Sequence, residues 1–208
     1  MHYRHTTADD LESVLRLSTE AFFADPLYTI MKKFCKTEAA YQQFIQISQR
    51  AFIRSYLTTT PCLAALDQDK VIAFAILEKP DHQKTDFLAY LKNGGWKLLR
   101  FVGIPSLIGY MKLLDQIMEP LNQITVPNWY LAHLAVDPAY QGRAIGSNML
   151  QECIIPLVKE QDGKLLTLGT QTELNQRFYQ KNGFTSFDHR LLTWKEQELN
   201  TWSLRREV

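Results

Sequence analysis

Residues 136–150 read VDPAYQGRAIGSNML. An apolar run ends near Pro138, and Gln141, Gly142, Arg143, Ala144, Ile145 and Gly146 then open a segment with helical apolar spacing. A strand that turns tightly into a helix aims several backbone N–H groups at one point. The first amides of the helix have no partner within it, and its dipole adds positive character. That arrangement binds anions, phosphates above all. Gly142 and Gly146 remove side chains that would keep a pyrophosphate from the backbone, and Arg143 adds a cation at the rim. Two known phosphate loops are excluded. Gly142 to Gly146 is too short for G-x-x-x-x-G-K-[ST], with no lysine after it, and G-x-G-x-x-G is absent.

A second constellation lies at 175–184, NQRFYQKNGF. Asn175 and Tyr179 are four residues apart on a predicted helix and share a face. Leu174 and Phe178 share the neighbouring face, which the pattern assigns to the core. Upstream of the loop, Tyr130 and His133 lie on opposite faces of a regular strand, a parity that a bulge would reverse. Glu78 and Asp25 are further carboxylates at element ends.

The elements that must position these residues follow from periodicity. MHYRHTT is β-compatible. Thr7 and Asp10 make a capping-box pattern before a helix that Pro26 interrupts. Residues 38–57 form a second amphipathic helix, and PCLAALDQDKVIAFAILEKP reads as two strands around a turn at Asp67 to Asp69. Residues 83–123 are largely helical, with breaks near Gly94–Gly95 and Gly103–Pro105. NWYLAHLAV is a buried strand between Pro127 and Pro138. Helical spacing resumes from Ile145 to Val158, with a kink expected at Pro156. KLLTLGT is the next strand. A capping pattern at Thr170 and Glu173 starts a helix that Gly183 closes, and strands follow near 184–188 and 190–195. Strands and helices alternate in the second half, which favours an α/β layer fold.

The chain has 208 residues, 46% hydrophobic and 22% charged, with no evident linker, so residues 1–208 read as a single domain. Its 23 basic and 22 acidic residues leave a formal charge of +1, which argues against a nucleic-acid partner. Cys35, Cys62 and Cys153 have neither disulfide nor zinc spacing, so no metal is expected. The N-terminus lacks the apolar core of a secretory signal, and the stretch between Arg100 and Lys112 is too short for a bilayer span. A soluble cytoplasmic protein with no membrane partner is the expectation.

The two motifs together resemble the GCN5-related N-acetyltransferase (GNAT) superfamily. Gln141 to Gly146 resembles the family's [QR]-x-x-G-x-[GA] loop, departing from it at Ala144, after LAHLAVDPAY, and Asn175 to Phe184 resembles N-x-x-x-[FY]-Y-x-K-x-G-F. The resemblance implies a mixed, mostly antiparallel central sheet with helices on both faces and splayed fourth and fifth strands. It implies acetyl-CoA as cosubstrate. Backbone groups of Leu134, Ala135 and Val136 would pair with the pantetheine arm, and amides of Gln141, Gly142, Arg143, Ala144, Ile145, Gly146 and Ser147 would hold the pyrophosphate. Asn175 would contact the carrier, and Tyr179 would act as general acid toward the departing thiolate. His133 is the first candidate for the base. The family usually has glycine where Ala144 stands. Alanine keeps the N–H but adds a methyl and disfavours positive φ.

The implied activity is direct acetyl transfer to a primary amine of a small molecule. The competing reading is a non-catalytic acyl-CoA sensor or scaffold. A weaker third is transfer of a longer acyl group, or transfer to a protein lysine. The segment 81–125, rich in Trp96, Phe101, Ile104, Leu107, Ile108, Tyr110 and Met111, would roof the acceptor pocket, extend the core or bury a homodimer surface.

Overall fold

The computed structural model of the protein describes residues 1–57, 59–80 and 87–208. Among these, seven strands form one sheet in the order β1-β2-β3-β4-β5-β7-β6. They are β1 (His2–His5), β2 (Cys62–Asp67), β3 (Lys70–Glu78), β4 (Trp129–Val136), β5 (Leu165–Thr170), β6 (Thr185–Trp194) and β7 (Gln197–Glu207). Neighbours run antiparallel except β4 and β5. The helices are α1 (Leu11–Phe22), α2 (Pro26–Thr29), α3 (Glu38–Tyr56), α4 (Phe87–Lys92), α5 (Leu99–Val102), α6 (Ile104–Asn122), α7 (Ile145–Met149), α8 (Ile155–Glu160) and α9 (Glu173–Lys181). The mixed sheet with helices on both faces is the fold the resemblance implies.

Apolar alternation divides the core between the two faces of the sheet. Ala73, Ala75 and Leu77 of β3 turn toward Met149, Leu150, Ile154 and Val158 of the α7–α8 segment. Phe74 and Ile76 turn the other way, toward Val14 and Leu17 of α1 and Ile53 of α3. A third cluster joins Tyr41, Phe44 and Ile45 of α3 to Leu113 and Ile117 of α6 and Leu199 of β7. The second half of the predicted 83–123 helix is thus a layer over β5–β7. Gly109 brings it close: a Cβ there would meet Nε1 of Trp194 at 2.5 Å. The first half of that prediction lies partly on residues 81–86, outside the described residues.

The C-terminal strands depart from expectation. Residues 185–194 form one strand with a bulge at Phe187, and β7 was not anticipated at all. The two strands meet at Lys195 and Glu196, both at positive φ (48° and 61°), which is a tight hairpin without the usual glycine or asparagine. With no turn residue to mark it, the break is invisible to pattern reading. The second helix cap also shifts. Thr170 ends β5, and Thr172 caps α9 by accepting the Asn175 amide at 3.1 Å.

Because Gly109 sets the distance between α6 and β6, Gly109→Val should force Trp194 aside. We expect a loss of about 1–3 kcal/mol, read from urea denaturation midpoints.

Candidate functional site

β4 and β5 pair only at Trp129–Leu166 and Tyr130–Thr167. Thr167 reinforces this end, its hydroxyl bonding to the Trp129 carbonyl and Asn128 Oδ1, each at 3.0 Å. Beyond it the strands part, leaving a cleft between Leu131–Val136 and Leu168–Thr170.

The edge that β4 offers to the cleft follows from its register with β3. Asp137 N bonds to Ile72 O at 2.9 Å, and Phe74 pairs with Ala135. In an antiparallel ladder the main-chain groups of alternate residues point to opposite neighbours. Ala135 is therefore turned to β3, while Leu134 and Val136 turn their N–H and C=O groups to the cleft. Of the three residues expected to pair with a pantetheine arm, Ala135 is corrected to a sheet residue. The Val136 carbonyl accepts Gln141 Nε2 at 3.2 Å, so the loop's first residue folds back over that edge.

The loop is anchored by Asp137. Its Oδ1 accepts the Ala139 amide at 2.9 Å, and its Oδ2 lies 3.0 Å from Lys70 Nζ. Arg143 stands 5.2 Å over the Tyr140 ring, at the surface. Gly142 (φ 76°) and Ala144 (φ 58°) are both left-handed. Ala144 thus adopts the conformation that glycine takes without strain, and it is not already helical. The first helical bond runs from Asn148 N to Ala144 O. The amides of Ile145, Gly146 and Ser147 have no carbonyl partner within the helix.

Gly146 has a different duty. A Cβ there would meet the Phe178 ring at 3.2 Å, so its absence lets α9 close on α7. The kink expected at Pro156 takes the form of a π turn over Leu150–Ile154, with Ile155 donating five residues back to Leu150. The wider turn accommodates a proline that has no amide to give. Asn182, missed in the sequence, joins these parts. Its Nδ2 donates to Ser147 Oγ at 3.0 Å and Phe178 O at 2.9 Å, and its Oδ1 accepts Gln151 Nε2. Asn182 is buried, and its partners lie too far along the chain for the local sequence to have marked it.

On α9, Tyr179 is half-buried with edge contacts to Phe178 and Phe184 at 5.0 and 5.5 Å. Burial raises its hydroxyl above the ordinary tyrosine pKa. Asn175 is half-buried one turn before it. Leu174, expected in the core, is 78% exposed. It sits in the first turn of α9, where side chains lean back past the helix start.

A bulge in β4 rearranges the other face. Ile76 pairs with His133 and Leu77 with Leu131, so Ala132 is the extra residue. The parity reverses there, and Tyr130 and His133 share the α1–α3 side. Tyr130 is the cross-strand partner of Glu78. Burial raises the Tyr130 hydroxyl, and the charges of Glu78 and Tyr179 raise it further, so the three groups lie close together. Tyr56 donates to Glu78 Oε1 at 2.7 Å, and the Tyr130 hydroxyl lies 3.5 Å from Met118 Sδ on α6.

His133 is enclosed. It stacks on Phe22 at 4.6 Å, packs against Phe52 and Phe74, and its Nε2 meets Ser18 Oγ at 3.0 Å. Burial pushes its pKa down to about 3. This is the environment of a packing imidazole, whereas Glu78 stands beside Tyr130 at the joint where the cleft begins. Among the described residues no three His, Cys, Asp or Glu side chains converge as a metal site.

Two outcomes follow from this geometry. A left-handed alanine costs roughly 1–2 kcal/mol, part of which glycine loses again in chain entropy. Ala144→Gly should therefore raise stability by about 0.5–1 kcal/mol, and Ala144→Val should lower it, both by urea denaturation. His133 stays neutral in the folded protein but takes a proton near its ordinary 6.5 when unfolded. The unfolded state binds protons first, so this contribution to stability falls as pH drops from 6.5 toward 3, by up to about 1.4 kcal/mol per pH unit. His133→Phe should flatten that slope in midpoints measured across the window.

Residues 105–186 match the family model described as acetyltransferase (GNAT) domain. No curated protein matches the chain. Solved structures share its fold at low identity. A histone acetyltransferase HPA2 and related acetyltransferase from Corynebacterium glutamicum is 15% identical with a TM-score of 0.67, over 98% of this chain and 94% of that one. An agmatine N-acetyltransferase is 15% identical with a TM-score of 0.62, over 100% and 99%. The PaiA N-acetyltransferase from Thermoplasma acidophilum, in complex with coenzyme A, is 15% identical with a TM-score of 0.56, over 100% and 98%. The family match thus rests on residues 105–186, and the chain as a whole shares the fold of these acetyltransferase structures.

Proposed function

We propose that the protein moves an acetyl group from acetyl-CoA to a primary amine of a small molecule, in a ternary complex. The observation that carries this reading is the cleft itself. The Leu134 main chain and the Val136 N–H face it, the amides of 141–147 follow at one end, and Tyr130, whose hydroxyl feels Tyr179, stands at the other. The first end suits a pyrophosphate and the β4 edge suits an amide-bearing arm, so acetyl-CoA fits these residues. When bound it supplies a thioester carbonyl, and residues 1–208 act as one unit around it.

The residues divide the work. The gripping loop holds the carrier, which removes much of the entropic barrier to a two-reactant step. Asn175 contacts the carrier near its reactive end. An amide of β4, that of Leu134, polarises the carbonyl. An amine of ordinary pKa near ~10.4 must lose a proton before it attacks. Glu78, held by Tyr56 and next to Tyr130, takes that proton directly or through water. Tyr179, whose raised pKa keeps it protonated, gives its proton to the departing thiolate.

The named acceptors of similar folds include histone and agmatine, a protein and a small molecule. Two observations favour the small molecule. The formal charge of +1 offers no acidic surplus for a basic tail. Leu107 and Tyr110 of α6 point inward over the acceptor side, while Trp96, Ile104 and Ile108 are 59%, 61% and 52% exposed and do not roof it. No helix of the described residues is long and apolar enough to cross a membrane. Three free cysteines fit a reducing, cytoplasmic compartment.

Calorimetry with coenzyme A, followed by thiol release from acetyl-CoA over an amine panel, tests the reading. Tyr179→Phe should lower kcat about 10²-fold or more with coenzyme A affinity unchanged. Binding without turnover on any amine would favour the sensor, and no binding would reject both.

A further inference from the structure

Asp25 lies in the short gap between α1 and α2. One of its oxygens accepts the Leu27 amide at 2.9 Å, and among the described residues no cation pairs with the carboxylate. It is ringed by phenols. Burial raises the hydroxyls of Tyr28, Tyr41 and Tyr110, the Asp25 charge adds to the rise in each, and Tyr110 in turn feels Tyr28 and Tyr90. Burial pushes the Asp25 carboxyl up to about 6, so it is still mostly ionised at neutral pH. A desolvated carboxylate without a counter-ion is costly, and a bound cation would relieve that cost.

A second observation points to the same place. Gln49 of α3 is fully buried, and neither Oε1 nor Nε2 makes a hydrogen bond of normal geometry. Its carboxamide lies beside the Tyr28 hydroxyl, close enough to lower that group's pKa against the effect of burial. Buried polar atoms without partners are rare and expensive. A ligand N–H donor would satisfy the oxygen.

We infer that Asp25, Gln49, Tyr28, Tyr90 and Tyr110 hold the far ammonium of the acceptor, and that the acceptor is a diamine rather than a monoamine. This rests on the acetyl-transfer reading above. A carboxylate among phenols is chemistry that suits an ammonium. Spacing fits two amines on one chain. Tyr110 and Met118 lie on the same helix, ~12 Å apart along its axis, and Met118 touches Tyr130 at the transfer end. Asp25 and Tyr28 are each partly exposed, so the group reaches solvent at this end, next to a groove of about 720 Å³ that Pro26 helps to line.

The test compares diaminobutane, diaminohexane and diaminooctane with butylamine, hexylamine and octylamine as acceptors. The wild-type kcat/KM should favour a diamine over its matched monoamine by about tenfold or more. In Asp25→Asn, which retains the cap on Leu27, that ratio should fall to near one, and Gln49→Leu should lower it as well. Each ratio is taken within one variant, so general damage cancels. Equal use of diamines and monoamines by the wild type, or an unchanged ratio in Asp25→Asn, overturns the inference. If no amine turns over, calorimetric titration of diaminooctane into the protein decides. Binding that disappears in Asp25→Asn supports the subsite, and absent binding overturns it. Failure of coenzyme A to bind counts against the transfer reading alone.

Discussion

Two rungs of parallel pairing between β4 and β5 govern this molecule. Trp129 and Tyr130 hold Leu166 and Thr167, and the Thr167 hydroxyl reinforces the joint from its side chain. A sheet paired along its whole length would have no cleft. A sheet with no rung here would split its core, because both faces depend on continuity across β3, β4 and β5. Acetyl transfer as proposed needs the strands to part, and stability needs them joined. Pairing at one end alone meets both demands.

The bulge at Ala132 lies just past that joint. An extra residue bends a strand and strengthens its twist, which suits the place where β4 departs from β5. It also changes which side chains share a face. Tyr130 moves to the side of Glu78 and His133, while Leu134 and Val136 continue the apolar lining begun by Trp129 and Leu131. The polar group beside Glu78 and the unpaired edge facing the cleft thus come from one eight-residue strand.

Much of this was legible in the residue pattern, and the failures have local causes. Helix α3 and strands β2–β5 follow from simple periodicity. The loop at 141–147 was recognisable because glycines and a helix start coincide there. The register was not. That Ala135 turns away from the cleft depends on which residues of β3 it faces, a non-local fact. The hairpin at Lys195–Glu196 escaped because two charged residues occupy left-handed positions. Leu174 was misassigned because helical spacing does not say where a helix outruns its support. The handedness of Ala144 reflects loop closure overriding the preference of a side chain. Asn182 was unreadable in advance, since its partners Ser147 and Gln151 are more than thirty residues away.

The last hairpin has a consequence for how the protein is made. β7 is inserted between β5 and β6, and its turn ties α6 to the segment after α2: Lys195 reaches Ser106 of α6 and covers Phe34, and Lys33 donates to the Lys195 carbonyl. These contacts link positions far apart in the chain, which is the slow kind to form. During synthesis, residues 1–170 emerge without the strand that buttresses β5 or the tip that secures α6. The helical cover therefore settles only once residues 195–207 have been made, and the apolar underside of α6 lacks that support until then.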